Sequence, residues 1–457
     1  MARVMSNPLA RVLLVAHGAL AGLTVDVEDT DSVRAAAALV AEDLMAFYPG
    51  NKPGNIPGIF AEPSDGDYYW WTGGALWNTM LNYRNHTGET KYDEVISQGL
   101  VWQIGPNADY LSPNWTATEG NDDQGIWALS AIAAEEFQFQ EPGQDNTSWL
   151  TIARNVFDEQ QNEDRRVDDG ACEGALRWQI YMFNQGYDYV NSASNAEYFN
   201  LAAQLARLTG NKTYEDAAGD TFELLENIGL VNKEYDVYDG THVSNCGDIN
   251  KAQFSSNAAL LLQGAAYMYN HTGGDDDWKE RVDGLVSRTL EVFFPNGVAF
   301  EIACEKQGAC NSDMYFYKSI LHRGLGSTME LAPYTTAKIL PVLKSSAKSA
   351  AAQCTGGDNG RLCGFHWSTG KFDGKTGPAQ QMGVLEALVS LLPAQSAAAG
   401  NSSSSTTTGS GSGSNSGSGS GTAQGSTSSN VPDGNMGARA GVSLGAVMGA
   451  LLGSLLI

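Results

Sequence analysis

A short phrase recurs along this chain and limits what it can fold into. Asn85-His86-Thr87-Gly88-Glu89-Thr90-Lys91-Tyr92 is echoed by Leu208-Thr209-Gly210-Asn211-Lys212-Thr213-Tyr214, and again by Asn270-His271-Thr272-Gly273 followed by Trp278. A degenerate copy ends at Trp149, and the aromatic positions 92, 149, 214 and 278 are 57, 65 and 64 residues apart. In each unit Thr-Gly reads as a helix C-cap, because glycine adopts the left-handed conformation that ends a helix without a Cβ penalty. The aromatic then opens a second helix. Amphipathic, Ala/Leu-rich stretches run over Val33 to Phe47, Ile126 to Phe139, Glu197 to Leu208, Ala258 to Tyr269 and Gly383 to Leu392, and strand patterns are few and short. Helical hairpins repeated at this length either stack as an open solenoid or close into a ring. These units are longer than those of common solenoids and carry insertions on one side, Pro106 to Gly120 and Tyr235 to Asn250. The pattern predicts an all-α fold, an (α/α)6 barrel of about six hairpins whose long loops build a cleft. The solenoid is the alternative.

Two adjacent carboxylates mark where chemistry would sit. Asp122 and Asp123 lie in Thr118-Glu119-Gly120-Asn121-Asp122-Asp123-Gln124-Gly125-Ile126-Trp127, between a Gly-Asn break and an apolar run. That context puts both in the first turn of a helix, where free N–H groups and the positive dipole end favour negative charge. Adjacent helical residues diverge by roughly 100° and rise about 1.5 Å. Their carboxyls can therefore flank one small object, and retaining glycoside cleavage requires a separation of about 5–5.5 Å. On a strand they would point to opposite faces. Acidic residues at helix starts also serve as plain caps, and Asp168-Asp169 and Asp275-Asp276-Asp277 read that way. The first pair differs in its surroundings, which are aromatic, amide-rich and nearly free of basic residues. Sugars are held by such groups, through ring stacking and hydrogen bonds.

Residues 1–21 read as a secretory signal peptide, with an apolar stretch after Arg3 and Arg11 and cleavage expected near Ala21. Residues 22–395 are the folded domain, 396–435 a Ser/Thr/Gly-rich stalk, and 436–457 an uncharged-ended apolar tail. Small residues, spacer and tail match a GPI-anchor signal, with attachment near Asn430 or Gly434/Asn435 and a tail-anchored helix as the alternative. This layout predicts passage through the secretory pathway to the cell surface, with a lipid anchor to the membrane. Sequons at Asn85, Asn114, Asn146, Asn211, Asn270 and Asn401 are expected glycosylation sites. Six cysteines suit an oxidising compartment. Cys304/Cys310 and Cys354/Cys363 are close enough to staple loops, which leaves Cys172 with Cys246. No Cys-x-x-Cys or histidine cluster suggests a metal, and His242 and His366 receive no catalytic role. A net charge of −25 argues against nucleic acid as a partner.

Tyr68-Tyr69-Trp70-Trp71-Thr72-Gly73-Gly74-Ala75-Leu76-Trp77, the Asn121-Asp122-Asp123-Gln124 core, the Thr-Gly hairpins and the signal-plus-anchor layout together carry a resemblance. Over about residues 30–395 the chain resembles the fungal, GPI-anchored members of glycoside hydrolase family 76, the endo-α-1,6-mannanases, and most of all their wall-biogenesis branch. The resemblance implies Asp122 as nucleophile and Asp123 as general acid/base of a retaining double displacement. It implies sugar contacts from Trp70, Trp71, Asn121, Gln124, Trp178, Asn195, Asp239, Gln253 and Asn257, with Trp77, Gln179, Lys318, Arg323 and Gln380 as further candidates. Asn257 faces inward if its helix starts near Phe254. The implied donor is an α-1,6-mannoside, in mannan or in a GPI-core glycan. The implied acceptor is water or a wall β-glucan hydroxyl, the second case joining GPI-anchored proteins to the wall. A pure hydrolase and a non-catalytic mannoside-binding wall protein are the rival readings. Two carboxylates suffice for the chemistry, so no cofactor is implied.

Overall fold

The computed structural model describes residues 22–61, 68–143 and 147–394. The expected signal peptide, stalk and tail, and the sequons at Asn146 and Asn401, lie outside them. Among the described residues there are twelve α-helices: α1 (Thr30–Ala46), α2 (Trp71–Thr87), α3 (Asp93–Trp102), α4 (Asn121–Glu136), α5 (Trp149–Gln160), α6 (Ser192–Thr209), α7 (Lys212–Ile228), α8 (Ser255–His271), α9 (Asp276–Phe293), α10 (Tyr317–Leu331), α11 (Thr336–Ala352) and α12 (Pro378–Val389).

The repeated phrase forms the turns between paired helices. α2 and α6 end at Gly88 and Gly210, both left-handed at φ 75° and 66°, and α8 ends one residue before Gly273 at φ 71°. In all three the threonine hydroxyl donates to the carbonyl four residues back, Thr87 to Tyr83, Thr209 to Leu205 and Thr272 to Met268, at 2.7–2.9 Å. The aromatic that follows starts the next helix and folds back on a neighbouring one: Tyr92 meets Tyr83, Tyr214 meets Phe157, and Trp278 stacks on Phe199.

The even-numbered helices pack in cyclic order, α2 on α4, α4 on α6, and so on to α12, which returns to α2. They form a closed inner ring, and the odd-numbered helices lie outside it, with α1 against α12. This is an (α/α)6 barrel, and the solenoid alternative is excluded by the α12–α2 contact. At the seam, Glu386 of α12 receives hydrogen bonds from Arg323 of α10 at 2.9 Å and Asn82 of α2 at 2.7 Å, all buried. Inner helices are accordingly buried almost all round, while α5, α7 and α9 bury only one stripe.

Inner-to-outer connections are short, and outer-to-inner connections are long, as between α5 and α6 or α11 and α12. The long segments therefore gather at the N-terminal ends of the inner helices. Two of them pair there, β1 (Tyr189–Asn191) with β2 (Gly240–His242), antiparallel. Disulfide Cys172–Cys246 joins the same two connections, and Cys304–Cys310 and Cys354–Cys363 close short loops.

Candidate active site

The gathered loops surround a cleft of about 730 Å³. Asp122 and Asp123 stand on it in the first turn of α4. That turn is held in place by Asn121, whose N–H donates to the Trp178 carbonyl at 2.8 Å and whose side-chain amide donates to the Arg177 carbonyl at 2.9 Å. Arg165 donates to the Asn121 side-chain oxygen at 2.7 Å, and Gln160 to its carbonyl at 2.8 Å. Every polar group of Asn121 is thus occupied inside the protein, and the aspartates are presented by a rigid turn.

The two carboxyls live in different environments. Asp122 accepts from the Asp123 N–H at 3.0 Å and from the Asn191 side chain at 3.4 Å, and the Trp178 side chain hydrogen-bonds it too. Burial raises its pKa to about 6, and these donors oppose the rise. Asp123 accepts from the Gly120 N–H at 2.6 Å. Burial, then the neighbouring Asp122 and Asp313, push Asp123 well above the usual carboxylate range. One carboxyl is set to ionise near neutral pH while the other keeps its proton, the division that a nucleophile and an acid require.

Four more carboxyl side chains line the same cleft, Glu119, Glu197, Asp239 and Asp313, and no Lys, Arg or His does so among the described residues. Asp239 accepts from Tyr189 at 2.8 Å and from Asn250 at 2.7 Å, and Asp313 from the Trp71 indole at 3.0 Å. Glu119 is 2 % exposed with neither oxygen bonded, and burial followed by Asp123 pushes it up to about 9. Trp71, Trp115, Trp178, Tyr189 and Tyr317 supply ring faces and edges to the wall.

Of the residues the resemblance suggested, Trp70, Trp71, Trp178, Gln179, Asp239 and Asn257 line the cleft together with the aspartate pair. Asn257 does so because α8 starts right after Phe254. Trp70 contributes little more than an edge, since it stacks on Trp127 and its indole N–H is bound to Gln103. Asn121, Gln124 and Asn195 are not on the cleft. Gln124 donates to the Asp109 carbonyl and to Glu159, and Asn195 clamps both backbone groups of Leu176, so these amides support the turn from behind. Gln253 turns instead to Asp236. Trp77 is core, bound to the Gly58 carbonyl; Lys318 pairs with Glu305, Arg323 with Glu386, and Gln380 is buried in α12. Asn191, Glu197, Asp313 and Tyr317 were missed. Of these only Asn191 had a readable sign, as the cap residue ahead of an Ala-rich helix.

Comparison with known proteins fits this geometry. The profile of glycosyl hydrolase family 76 matches residues 32–403. The chain belongs to that family. Similar family members include the mannan endo-1,6-alpha-mannosidase DCW1 of Saccharomyces cerevisiae, 39% identical over 80% of this chain and 80% of the relative. DCW1 of Candida glabrata is 40% identical over 82% and 83%. Among solved structures, Dfg5 from Chaetomium thermophilum in complex with glucosamine has 46% identity and a TM-score of 0.77, covering 80% of this chain and 91% of that one. An inactive variant of the Salegentibacter alpha-1,6-mannanase in complex with α-1,6-mannotriose shares the fold, with a TM-score of 0.62 at 15% identity over 79% and 99%. As a family 76 member the chain is a glycosidase, and its barrel is the one these neighbours have.

Proposed function

We propose that this glycosidase cleaves α-1,6-linked mannose with retention and passes the mannosyl group to an acceptor hydroxyl, joining GPI-anchored proteins to wall β-glucan. The observation that carries the reading is the unequal Asp122–Asp123 pair on a cleft of rings and carboxyls. Ionised Asp122 attacks the anomeric carbon, the glycosidic C–O bond breaks, and the leaving oxygen takes the proton of Asp123. An acceptor hydroxyl then returns a proton to Asp123 and displaces Asp122 from the anomeric carbon. The relatives' names, mannan endo-1,6-alpha-mannosidase, support the linkage.

Two features favour transfer from a GPI-core glycan. That glycan carries an unsubstituted glucosamine, a cation at neutral pH; no Lys, Arg or His among the described residues lines the cleft, and Asp239 and Asp313, both accepting hydrogen bonds, stand in its wall to meet such a group. The Chaetomium relative was solved with glucosamine bound. Just past the cleft-lining Gln179, Tyr181 and Phe183 stack at 5.4 Å, with Phe183 73% exposed, and Asn184 ties this segment to Gln179 and to the Ala117 carbonyl. An acceptor sugar can stack on such a step. The signal, stalk and anchor read from the sequence supply the matching place, the cell surface. The second reading is pure hydrolysis, which the relatives' names favour.

The test incubates the protein with an α-1,6-mannosyl oligosaccharide or a GPI-core glycan, with and without a β-glucan oligosaccharide, and follows products by mass. A glycan–glucan adduct that vanishes in Asp122→Asn and in Asp123→Asn supports transfer. Shortened glycan without adduct means hydrolysis. Binding without turnover in the wild type overturns both.

A further inference from the structure

Two carboxyls on the cleft, Glu119 and Glu197, have no hydrogen bond from the described residues and no role in the two steps above, and Glu197 is the one that stands beside the aspartate pair on a second inner helix. Glu197 comes from α6, fewer than two turns past the Asn191 cap. It is 3 % exposed, yet its Oε2 makes no hydrogen bond, and the side chain lines the cleft with Asp122, Asp123 and Ala193. That oxygen is sealed against α4, so the carboxyl meets the cleft through Oε1, to which the described residues supply no hydrogen bond. A buried polar group left unpaired costs about 1–3 kcal/mol, and a carboxyl retained there calls for a partner that arrives with a ligand.

Helix α4 is shaped to admit this side chain. A Cβ at Gly125 would stand 2.5 Å from Glu197 Oε2 and 3.0 Å from Glu197 Cβ. Gly125 follows Asp122 by three residues and so shares its face of α4. The missing side chain at 125 is what lets a carboxyl from α6 lie one helical turn below the nucleophile.

We propose that the Glu197 carboxyl floors the sugar subsite over the aspartate pair and, through Oε1, hydrogen-bonds a hydroxyl of the bound mannosyl ring. The proposal rests on the glycosidase reading above and deepens it. Burial, with Asp122 and Asp123 beside it, pushes the Glu197 carboxyl well above the usual carboxylate range, towards its protonated form. It therefore meets the ring as a neutral acid, donating through O–H and accepting through C=O, and adds no charge against ionisation of Asp122. The reacting oxygen's proton stays with Asp123. Hydrogen bonds to ring hydroxyls strengthen as the ring distorts towards the transition state, so the effect falls on kcat as well as KM.

The test uses the full chain and an aryl α-1,6-mannobioside, with monodeoxy versions lacking one hydroxyl on the ring that carries the aryl group. Glu197→Ala, and Glu197→Met as a variant of similar volume, should lower kcat/KM on the parent about 10–100-fold. Glu197→Gln, a neutral isostere, should lose less than about tenfold, and Tm reports on folding of each. For one deoxy substrate the penalty of the apolar variants should disappear. A penalty equal across the series, or none, overturns the proposal. If the wild type turns over no mannoside, the glycosidic reading fails by itself, and the same series read as α-1,6-mannobioside affinity decides for Glu197. Wild type that neither cleaves nor binds overturns both.

Discussion

Replacing Asn191 by serine separates the two tasks this residue performs. Its side-chain oxygen caps α6 by accepting from the Ser194 N–H at 3.1 Å, while its NH2 donates to Asp122 at 3.4 Å. Serine caps helices about as well as asparagine and has no second arm for Asp122. The variant therefore keeps the helix and removes a donor from Asp122, the proposed nucleophile. A hydrogen bond to a charged group is worth about 1.5–3 kcal/mol. A donor at 3.4 Å lies beyond the usual range, so about 1–1.5 kcal/mol applies here, and about 1.4 kcal/mol is one pKa unit. Asp122 starts at about 6. Losing a group that favours its ionised form raises that value, so the acid limb of kcat/KM should move up by about one unit. On an α-1,6-mannoside the loss should be about tenfold at pH 5 and slight at pH 8. Asn191→Asp, which keeps the cap and adds a negative charge, should move the limb further the same way. An equal loss at every pH, or an acid limb that moves down, would refute the assignment of Asn191 as the tuner of Asp122.

Gly125→Ala should cost about 1–3 kcal/mol of stability through its clash with the Glu197 side chain, and Gly125→Ala combined with Glu197→Ala should recover part of it in a urea melt. Glu119, at about 9 against a starting value of 4.5, gives stability that is full below its unfolded pKa and is lost as pH rises through about 9; in Glu119→Gln the Tm difference from wild type should grow more favourable from pH 5 to pH 9. Breaking Cys172–Cys246, which spans 74 residues, should lower unfolding free energy by about 4 kcal/mol in the chain-entropy limit. Phe183→Ala should reduce glucan adduct relative to water product without changing Tm, since the ring is exposed.

The barrel was legible because its determinants are local and repeated. Thr87-Gly88, Thr209-Gly210 and Thr272-Gly273 each end a helix by the same hydroxyl-to-carbonyl bond and left-handed glycine, and no distant contact is needed to read them. The aspartate pair was legible for a similar reason: helix position and neighbouring sequence lie in one stretch. The rest of the site was not. Glu197 and Asp313 become cleft residues only when α6 and the segment before α10 are brought beside α4, and neither sits in a motif. Asn121, Gln124 and Asn195 show the opposite failure. An amide next to a catalytic group can hold the substrate or hold the backbone, and composition is the same in both cases. Only the paired Leu176 backbone and the Arg165–Asn121 bond decide it.

The α1–α12 contact has a consequence for how the chain is made. α1 presents Val33, Ala36, Ala37, Val40, Ala41 and Leu44 to its neighbours, and the chief of these neighbours begins about 330 residues later. At about 5–20 residues per second the ribosome needs roughly 15 to 70 s to deliver it. During that interval the apolar stripe of α1 lacks most of its native cover, and the ring of inner helices stands open at the same seam. Nascent chains that stall in this window present both a greasy helix and an unsealed edge, so this interval is when a chaperone has most to shield.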